Sequence, residues 1–370
     1  MNRHNFLSAA LAFSLAAILL FKSADLSEGI RRGLHLCSYS VIPALFPFMA
    51  FSLYICKSSA ADFFAAFLRP VTKLLKIPAF CGGVLFASLI GGYPAGAKCI
   101  NDLVLSGRLD RRTAGRMLCF CVNAGPPFLI SAVGISVFGN IKTGILLFAS
   151  QIISSVIIAV ICSAFAKKNF AFEEKEYAPC KNGAALAVES VTSAAKSCFE
   201  MCAFIVLACG ALELLQGGAV FSALSGIPVA KALFTGFFEV TAGAFACKNI
   251  TGFGAVIAAG ALWSFSGISV ILQVASAVDE SKIPLLPFIV SRFFHAGITA
   301  GLLWLFFAFY KESAAVFAIK GSTAEAVLSA SAPAAVSLLC MASLFLLSAV
   351  PPQSEKEPLL SRLKQRFIKR

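Results

Sequence analysis

The stretch that decides the fold is AFCGGVLFASLIGGYPAGAK, which runs from Ala79 to Lys98. It is apolar enough to enter a lipid bilayer, but its glycines and its proline disfavour one straight helix. We therefore predict a helix break at GGYP, residues 91–94. A second interrupted segment, Met117–Phe138, carries the sequence NAGPP near its middle.

Breaks inside membrane helices predict a cavity, because unsatisfied backbone amides in lipid are costly and are tolerated only inside protein or beside water. The freed N–H and C=O groups of the half-helices suit anions or the polar groups of a small solute. The alternative is that the glycines only allow tight helix packing. The candidate substrate-binding residues of the first half are Gly91, Gly92, Tyr93, Pro94, Gly96, Lys98, Asn123, Gly125 and Pro126.

The composition indicates an all-α, polytopic membrane protein. The chain has 370 residues, 59% of them hydrophobic and 13% charged, whereas a soluble domain is about 45–50% apolar and about 25% charged. The mean hydropathy is +0.86. Apolar runs near the roughly 20 residues of a spanning helix recur from Phe6 to Val350.

The basic and metal-binding residue types do not form a site. The net charge is +13, but the basic residues lie in short loops and a tail, so we expect a membrane surface as the anionic partner and no nucleic acid. Most of the cysteines lie in apolar stretches and the histidines are dispersed, so we expect buried thiols and no metal site.

The chain divides into membrane repeats and flanking segments. Within the first repeat we expect a proline-kinked span at Cys37–Cys56 and an interfacial segment at Phe63–Leu68. The loop Lys98–Arg116, with five basic and two acidic residues, is predicted to be cytoplasmic. The predicted divisions are an uncleaved N-terminal helix (1–30), a first repeat (31–166), a polar linker (167–183), a second repeat (184–310), an extracytoplasmic loop with the last helix (311–350) and a basic amphipathic tail (351–370). The tail is predicted to bind anionic lipid and to place the C-terminus in the cytoplasm.

The second half repeats the plan of the first. The segment LFTGFFEVTAGA, from Leu233, aligns without gaps to FASLIGGYPAGA, from Phe86, and SFSGISVILQVA, from Ser264, aligns to VNAGPPFLISAV, from Val122. Matching breaks in two halves are typical of transporter folds. The second-half candidates are Glu239, Thr241, Gly243, Ser266, Gly267, Ser269 and Gln273.

Glu239 places a carboxyl group in an apolar run, where a charge is costly by at least about 2.5 kcal/mol. One interpretation is a protonatable group that couples solute movement to protons. The other is a structural ion pair with Lys98 or Arg292.

The motifs of soluble catalysis are missing from the sequence. It contains no Ser-His-acid arrangement of the hydrolase kind and no GxxxxGK[ST] phosphate loop. We therefore predict that the protein is not an enzyme and needs no cofactor.

Four blocks, GGYPAGAK, NAGPPFLISAVG, GFFEVTAG and SFSGISVILQ, give the chain a resemblance to the YlbJ-type sporulation integral membrane proteins. That family carries the nucleoside-recognition Gate domain, also present in nucleoside transporters. The resemblance implies a bacterial cell-membrane protein, in the outer forespore membrane, needed for spore cortex formation and heat-resistant spores. Carried over by position, the family's blocks fall on the candidate residues given above for each half.

Two functions remain open from the sequence. The first is binding or transport of a small polar, nucleoside-like solute at the bilayer midplane. The alternative is a non-transporting structural or assembly factor of the forespore membranes. The sequence leaves open whether the protein acts as a homo-oligomer.

Overall fold

The computed structural model describes residues 3–166, 183–216, 218–224 and 226–309. Throughout these ranges the regular structure is helical, which confirms the all-α prediction. Five helices are long and apolar enough to cross a membrane: Ser23–Lys57, Ile141–Ala164, Gly183–Gln216, Phe253–Ala277 and Leu286–Phe309. Most of the predicted linker, the last predicted span and the basic tail lie outside the described residues.

The N-terminal part consists of α1 (Arg3–Phe21), α2 (Ser23–Leu36) and α3 (Ile42–Lys57). A π-helical turn, Cys37–Val41, joins α2 and α3 into one helix, so the predicted span at Cys37–Cys56 is the second part of a longer helix. The extra residue per turn lies directly before Pro43, at the place where a proline removes a helical hydrogen bond.

Two short helices, α4 (Ala60–Phe67) and α5 (Arg69–Leu74), lead into α6 (Cys81–Gly91) and α7 (Ala95–Leu105). Helices α6 and α7 form a hairpin. The guanidinium carbon of Arg108, beyond the end of α7, lies 4.5 Å from the ring centroid of Phe80, before the start of α6. Both ends of this first hairpin therefore lie at one end of the molecule.

The structure corrects the prediction of a loop at Lys98–Arg116, while the cytoplasmic placement of this segment stays a prediction. Most of that segment is helical, since α7 extends to Leu105 and α8 (Arg111–Cys121) begins shortly after it. The polar residues lie on helices that also bury apolar faces, and only residues 106–110 connect the two.

Helix α8 is followed by an irregular stretch, a π-helix (Phe128–Ile135) and then α9 (Ile141–Ala164), which returns along the molecule. The hydroxyl of Ser163 donates to the carbonyl of Leu75 at 2.9 Å. The end of α9 therefore lies beside the open end of the first hairpin, and the turn at residues 136–140 lies at the opposite end.

The second half starts with the long helix α10 (Gly183–Gln216) and the short α11 (Ala219–Leu224). Helices α12 (Pro228–Phe238) and α13 (Val240–Ala246) then form a second hairpin. Gly243 packs against the backbone of Gly236, which a continuous helix would place about 10 Å away.

The chain continues through a 3-10 turn (Cys247–Asn249) into α14 (Phe253–Phe265), α15 (Gly267–Ala277) and α16 (Leu286–Phe309). Gly115 of α8 packs against Pro284, so the loop before α16 lies at the end where the first hairpin opens. The rings of Phe253 and Phe307 stack, which places the start of α14 beside the end of α16 at the other end.

Candidate functional site

The tip of the first hairpin is built for close backbone contact. Gly92 has a φ of +68°, in the left-handed region that favours glycine. A Cβ at this position would lie 2.7 Å from the backbone nitrogen of Gly125. The predicted break at residues 91–94 is therefore confirmed, and it packs directly on the second break.

The second break is held by a buried cation. Arg292 of α16 is 0% exposed; its Nη1 donates to the carbonyl of Val122 at 2.8 Å, and its Nη2 donates to the carbonyl of Cys119. These carbonyls end α8, where the helix dipole favours positive charge. Asn123 adds a third contact, because its Nδ2 donates to the carbonyl of Phe120 at 2.8 Å.

The tip of the second hairpin is held by a buried carboxyl group. Glu239 is 0% exposed, and its carboxylate accepts hydrogen bonds from the backbone N–H groups of Thr241, at 3.0 Å, and Ala242. It therefore caps α13 at the end where negative charge is favoured. In the described ranges neither Lys98 nor Arg292 forms an ion pair with Glu239, so the ion-pair interpretation does not describe this structure.

The break between α14 and α15 lies at Ser266, whose φ is +78°. Its hydroxyl donates to the carbonyl of Trp263 at 3.4 Å, which ties the turn to the end of α14. The next residue, Gly267, lies against the carbonyl of Gly236 on the second hairpin. Each half thus pairs a hairpin tip with a second broken helix.

A central cavity lies where the two hairpin tips meet. Its volume is about 20 Å³, room for roughly one water molecule. The polar or glycine residues in its wall come from both halves: Tyr93, Gly125, Glu239, Thr241, Trp263 and Gln273. Apolar side chains complete the wall, among them Phe128 and Met201.

Three side chains in this wall carry polar atoms with no hydrogen-bond partner in the part of the chain that the structure describes. They are the hydroxyl of Tyr93, the indole nitrogen of Trp263 and both amide atoms of Gln273. The residues are 5%, 2% and 3% exposed. An unpaired buried donor or acceptor costs about 1–3 kcal/mol, so the burial of these unpaired atoms lowers the free energy of unfolding.

Two larger cavities lie on either side of the central one. The polar cavity, of about 110 Å³, is lined by Pro94, Lys98, Asn101, Asp102, Lys196, Glu200, Gln273 and Glu280 among others. The basic vestibule, of about 900 Å³, is lined by Arg31, Arg32, Lys231, Lys248, Glu28 and Glu213 among others.

Helix α10 orders the three cavities. Glu200 lines the polar cavity, Ile205 the central cavity and Glu213 the basic vestibule, while Met201 lines both of the first two. From Glu200 to Glu213 an α-helix rises about 20 Å, a large part of a hydrocarbon core about 30 Å thick. The cavities therefore follow one another across the molecule.

The candidate residues fall into groups with different surroundings. Those in the central cavity are Tyr93, Gly125, Glu239, Thr241 and Gln273, and those in the polar cavity are Pro94, Lys98 and Gln273. Gly91, Gly92, Gly96, Gly243 and Gly267 instead face neighbouring protein atoms at close range. Ser266 and Asn123 hydrogen-bond to nearby backbone, and Pro126 is half-buried beside the second break. Ser269 is buried, and its hydroxyl has no partner within the described ranges.

Sequence reasoning missed two important side chains. Trp263 lies in an apolar run of the sequence, where nothing distinguishes it from a core residue, but it lines the central cavity. Arg292 was considered only as a partner for Glu239, whereas it binds carbonyls of α8. Among the described residues, no group of three or more His, Cys, Asp or Glu side chains could hold a metal ion.

Comparison with known proteins identifies a similar protein. The chain is 25% identical over 335 residues, 80% of this chain and 82% of the relative, to the sporulation integral membrane protein YlbJ of Bacillus subtilis (strain 168). No family model and no solved structure matches the chain. The similarity and the spanning helices together support a multi-pass membrane protein with a role in sporulation.

Proposed function

We propose that the protein binds a small polar, nucleoside-like solute in the central cavity and moves it across a membrane of the sporulating cell. The observation that carries the proposal is the set of unpaired polar atoms on Tyr93, Trp263 and Gln273 around one cavity. A polar ligand would satisfy these atoms, and their burial without one would otherwise only cost stability.

The aromatic residues of the same wall favour a solute with a flat ring. The rings of Phe128 and Trp263 lie with centroids 4.6 Å apart, and Tyr93 contributes a third ring. Aromatic faces beside amide and hydroxyl groups suit a heterocyclic base with its polar edge.

The arrangement of the hairpins supports movement as well as binding. The first hairpin opens toward the polar cavity, where Lys98 lies, and the second toward the basic vestibule, where Lys231 and Lys248 lie. We infer that the two halves are inverted repeats whose tips meet at the central cavity, an arrangement suited to alternating access. A solute larger than one water requires the tips to separate.

The first experiment measures uptake of labelled uridine and adenosine into proteoliposomes that contain the full-length protein. Tyr93→Phe is the test variant, and Tyr54→Phe is the matched control, because Tyr54 lies in α3 and does not line the central cavity. We expect uptake by the wild type and by Tyr54→Phe, and at least a tenfold loss in Tyr93→Phe.

A second readout uses spores. The variants are expressed in a Bacillus subtilis strain that lacks its own YlbJ, with a blot for membrane abundance. Loss of heat resistance in Tyr93→Phe at normal abundance, with Tyr54→Phe intact, supports a ligand role for the cavity. Full heat resistance in Tyr93→Phe, together with no uptake of either nucleoside, would favour the structural or assembly factor instead.

A further inference from the structure

The two hairpin tips differ in whether a side chain caps the helix that begins there. At the N-terminus of α13 the carboxylate of Glu239 accepts hydrogen bonds from the backbone N–H groups of Thr241 and Ala242. At the N-terminus of α7 no side chain of the described residues accepts a capping hydrogen bond. In the sequence alignment of the halves, Gly92 stands where Glu239 stands, so the first tip has no carboxylate of its own.

Helix α7 therefore begins without a side-chain cap. Within the described part of the chain, the N–H of Gly96 bonds to the carbonyl of Gly92 at 3.5 Å and the N–H of Lys98 bonds to the carbonyl of Pro94 at 3.0 Å, whereas the N–H of Ala97 has no acceptor. The first amides of an α-helix together carry a partial positive charge, which favours an anion.

A second observation at the same tip points to a ligand. Gln273 of α15 is 3% exposed, both of its amide atoms lack partners among the described residues, and it lines the polar cavity together with Pro94 and Lys98. It also lines the central cavity together with Tyr93, whose hydroxyl has no partner in the same part of the chain. The carboxamide thus lies where the two cavities adjoin, beside the start of α7.

Two cations lie in the wall of the polar cavity: Lys98 on α7 itself and the exposed Lys196 on α10. Of the acidic residues in the polar cavity, Asp102 is paired with Lys57 at 3.4 Å. Glu200 is half-buried and Glu280 is exposed, and both belong to other segments. Lys98 is half-buried in the first turns of α7.

We propose that the N-terminus of α7, with Lys98 and the carboxamide of Gln273, binds an acidic group of the solute, a carboxylate or a phosphate. That group takes the place at α7 which the Glu239 carboxylate takes at α13. The proposal rests on the proposed function and specifies its substrate class: among nucleoside-like solutes, those with an anionic group that lies toward the polar cavity bind more tightly than the uncharged nucleosides.

The test uses simple anions as probes. Thermal unfolding of the full-length protein in nanodiscs is followed with increasing inorganic phosphate or acetate, with chloride holding the ionic strength constant. We expect a saturable rise in Tm, with the stronger of the two anions identifying phosphate or carboxylate as the preferred group. Lys98→Gln and Gln273→Glu should weaken anion binding, so that the half-saturating concentration rises at least tenfold. Lys98→Arg keeps the positive charge and should keep the half-saturating concentration near the wild-type value.

Lys282→Gln is the matched control, since Lys282 is an exposed lysine at the same end of the molecule and does not line the polar cavity. It should keep the wild-type response. The absence of any saturable shift, or equal shifts in Lys98→Gln and Lys282→Gln, would overturn the anion site.

Failure of this inference is separable from failure of the proposed function. Nucleoside uptake that no anion inhibits, without a Lys98-dependent shift, removes the anion site and leaves transport standing. A Lys98-dependent anion shift without uptake of any labelled solute keeps the site and removes transport.

Discussion

A comparison of Gln273 with Gln151 can show whether a buried, unpaired amide binds a ligand. Both are at most 3% exposed and both have two amide atoms without partners among the described residues, but only Gln273 lines the central cavity. If the amide of Gln273 binds a ligand, a variant without the amide should be more stable but should lose function.

We expect Gln273→Met and Gln151→Met each to raise the free energy of unfolding by about 1–3 kcal/mol, because each removes an unpaired buried polar group. Only Gln273→Met should lose spore heat resistance. Thermal unfolding in detergent and heat-resistant spore counts measure the two effects. Equal heat resistance in both variants would leave Gln273 without a ligand role.

Glu239 is constrained by the hydrogen bonds that it accepts. In Glu239→Gln one acceptor becomes an NH₂ donor that faces a backbone N–H of α13, so we expect a loss of about 1–2 kcal/mol. Glu239→Asp keeps a carboxylate and should lose less. The comparison of Tm values for the two variants checks the cap, and a Gln variant as stable as wild type would contradict it.

Proton coupling at Glu239 stays a prediction from the sequence. Its test is nucleoside uptake driven by an imposed pH gradient, in the wild type and in Glu239→Gln. Coupling through this residue requires that the gradient accelerates wild-type uptake and leaves the uptake of the variant unchanged.

At the scale of elements, the breaks could be predicted and their geometry could not. Glycine and proline at residues 91–94 and 123–127 predict irregular backbone. Glu239 stood out as a lone carboxylate in an apolar run, but its role as the cap of α13 was not predicted. Whether a chain kinks or reverses at such a point depends on distant contacts, such as that between Arg108 and Phe80. The same limit explains why Lys98–Arg116 was predicted to be a loop.

The role of Arg292 also depends on tertiary structure. Its partners are carbonyls of Cys119 and Val122, far away in the sequence, and no local pattern identifies them. The sequence did not predict Trp263 as a cavity residue for a related reason, since an aromatic residue in an apolar helix normally belongs to the hydrophobic core.

Alanine substitutions at Gly92 and Gly107 distinguish the energy of close packing at the first hairpin tip from the energy of backbone strain. Both have positive φ, +68° and +73°, but a Cβ at Gly107 would meet nothing within 4 Å. Gly107→Ala should cost only the left-handed strain, about 1–2 kcal/mol. Gly92→Ala should cost clearly more, because its Cβ would also meet Gly125. Equal Tm losses would show that the tip does not need the close contact.

Arg292→Lys tests the clamp on α8. A lysine has no planar fork, so it cannot hold both carbonyls as Arg292 does. We expect a loss of one hydrogen bond to a charged group, about 1.5–3 kcal/mol, in thermal unfolding. Lys282→Arg, an exchange of the same residue types at an exposed position, should leave Tm unchanged and serves as the control.

At the scale of the molecule, the path of the chain makes the first hairpin and the second open at opposite ends. Ser106 lies at the end where the first hairpin opens, and Ser136 lies in the turn at the other end, beside the basic vestibule. Both residues are exposed. The short segments near Ser106 are rich in basic residues, which favours the cytoplasmic side for that end.

We therefore expect a membrane-impermeant maleimide to label Ser136→Cys in intact cells and Ser106→Cys only in inverted vesicles. Because the native chain has its own cysteines, the labelled peptide is identified by mass spectrometry, with the wild type as background. Labelling of both positions from one side would contradict the opposed hairpins, since the turn between the π-helix and α9 would then share a face with the first hairpin. Labelling of the two positions from opposite sides would place the polar cavity and the basic vestibule toward opposite faces of the membrane. Because helix α10 lines both cavities, a solute that moves along it from one cavity to the other crosses the membrane.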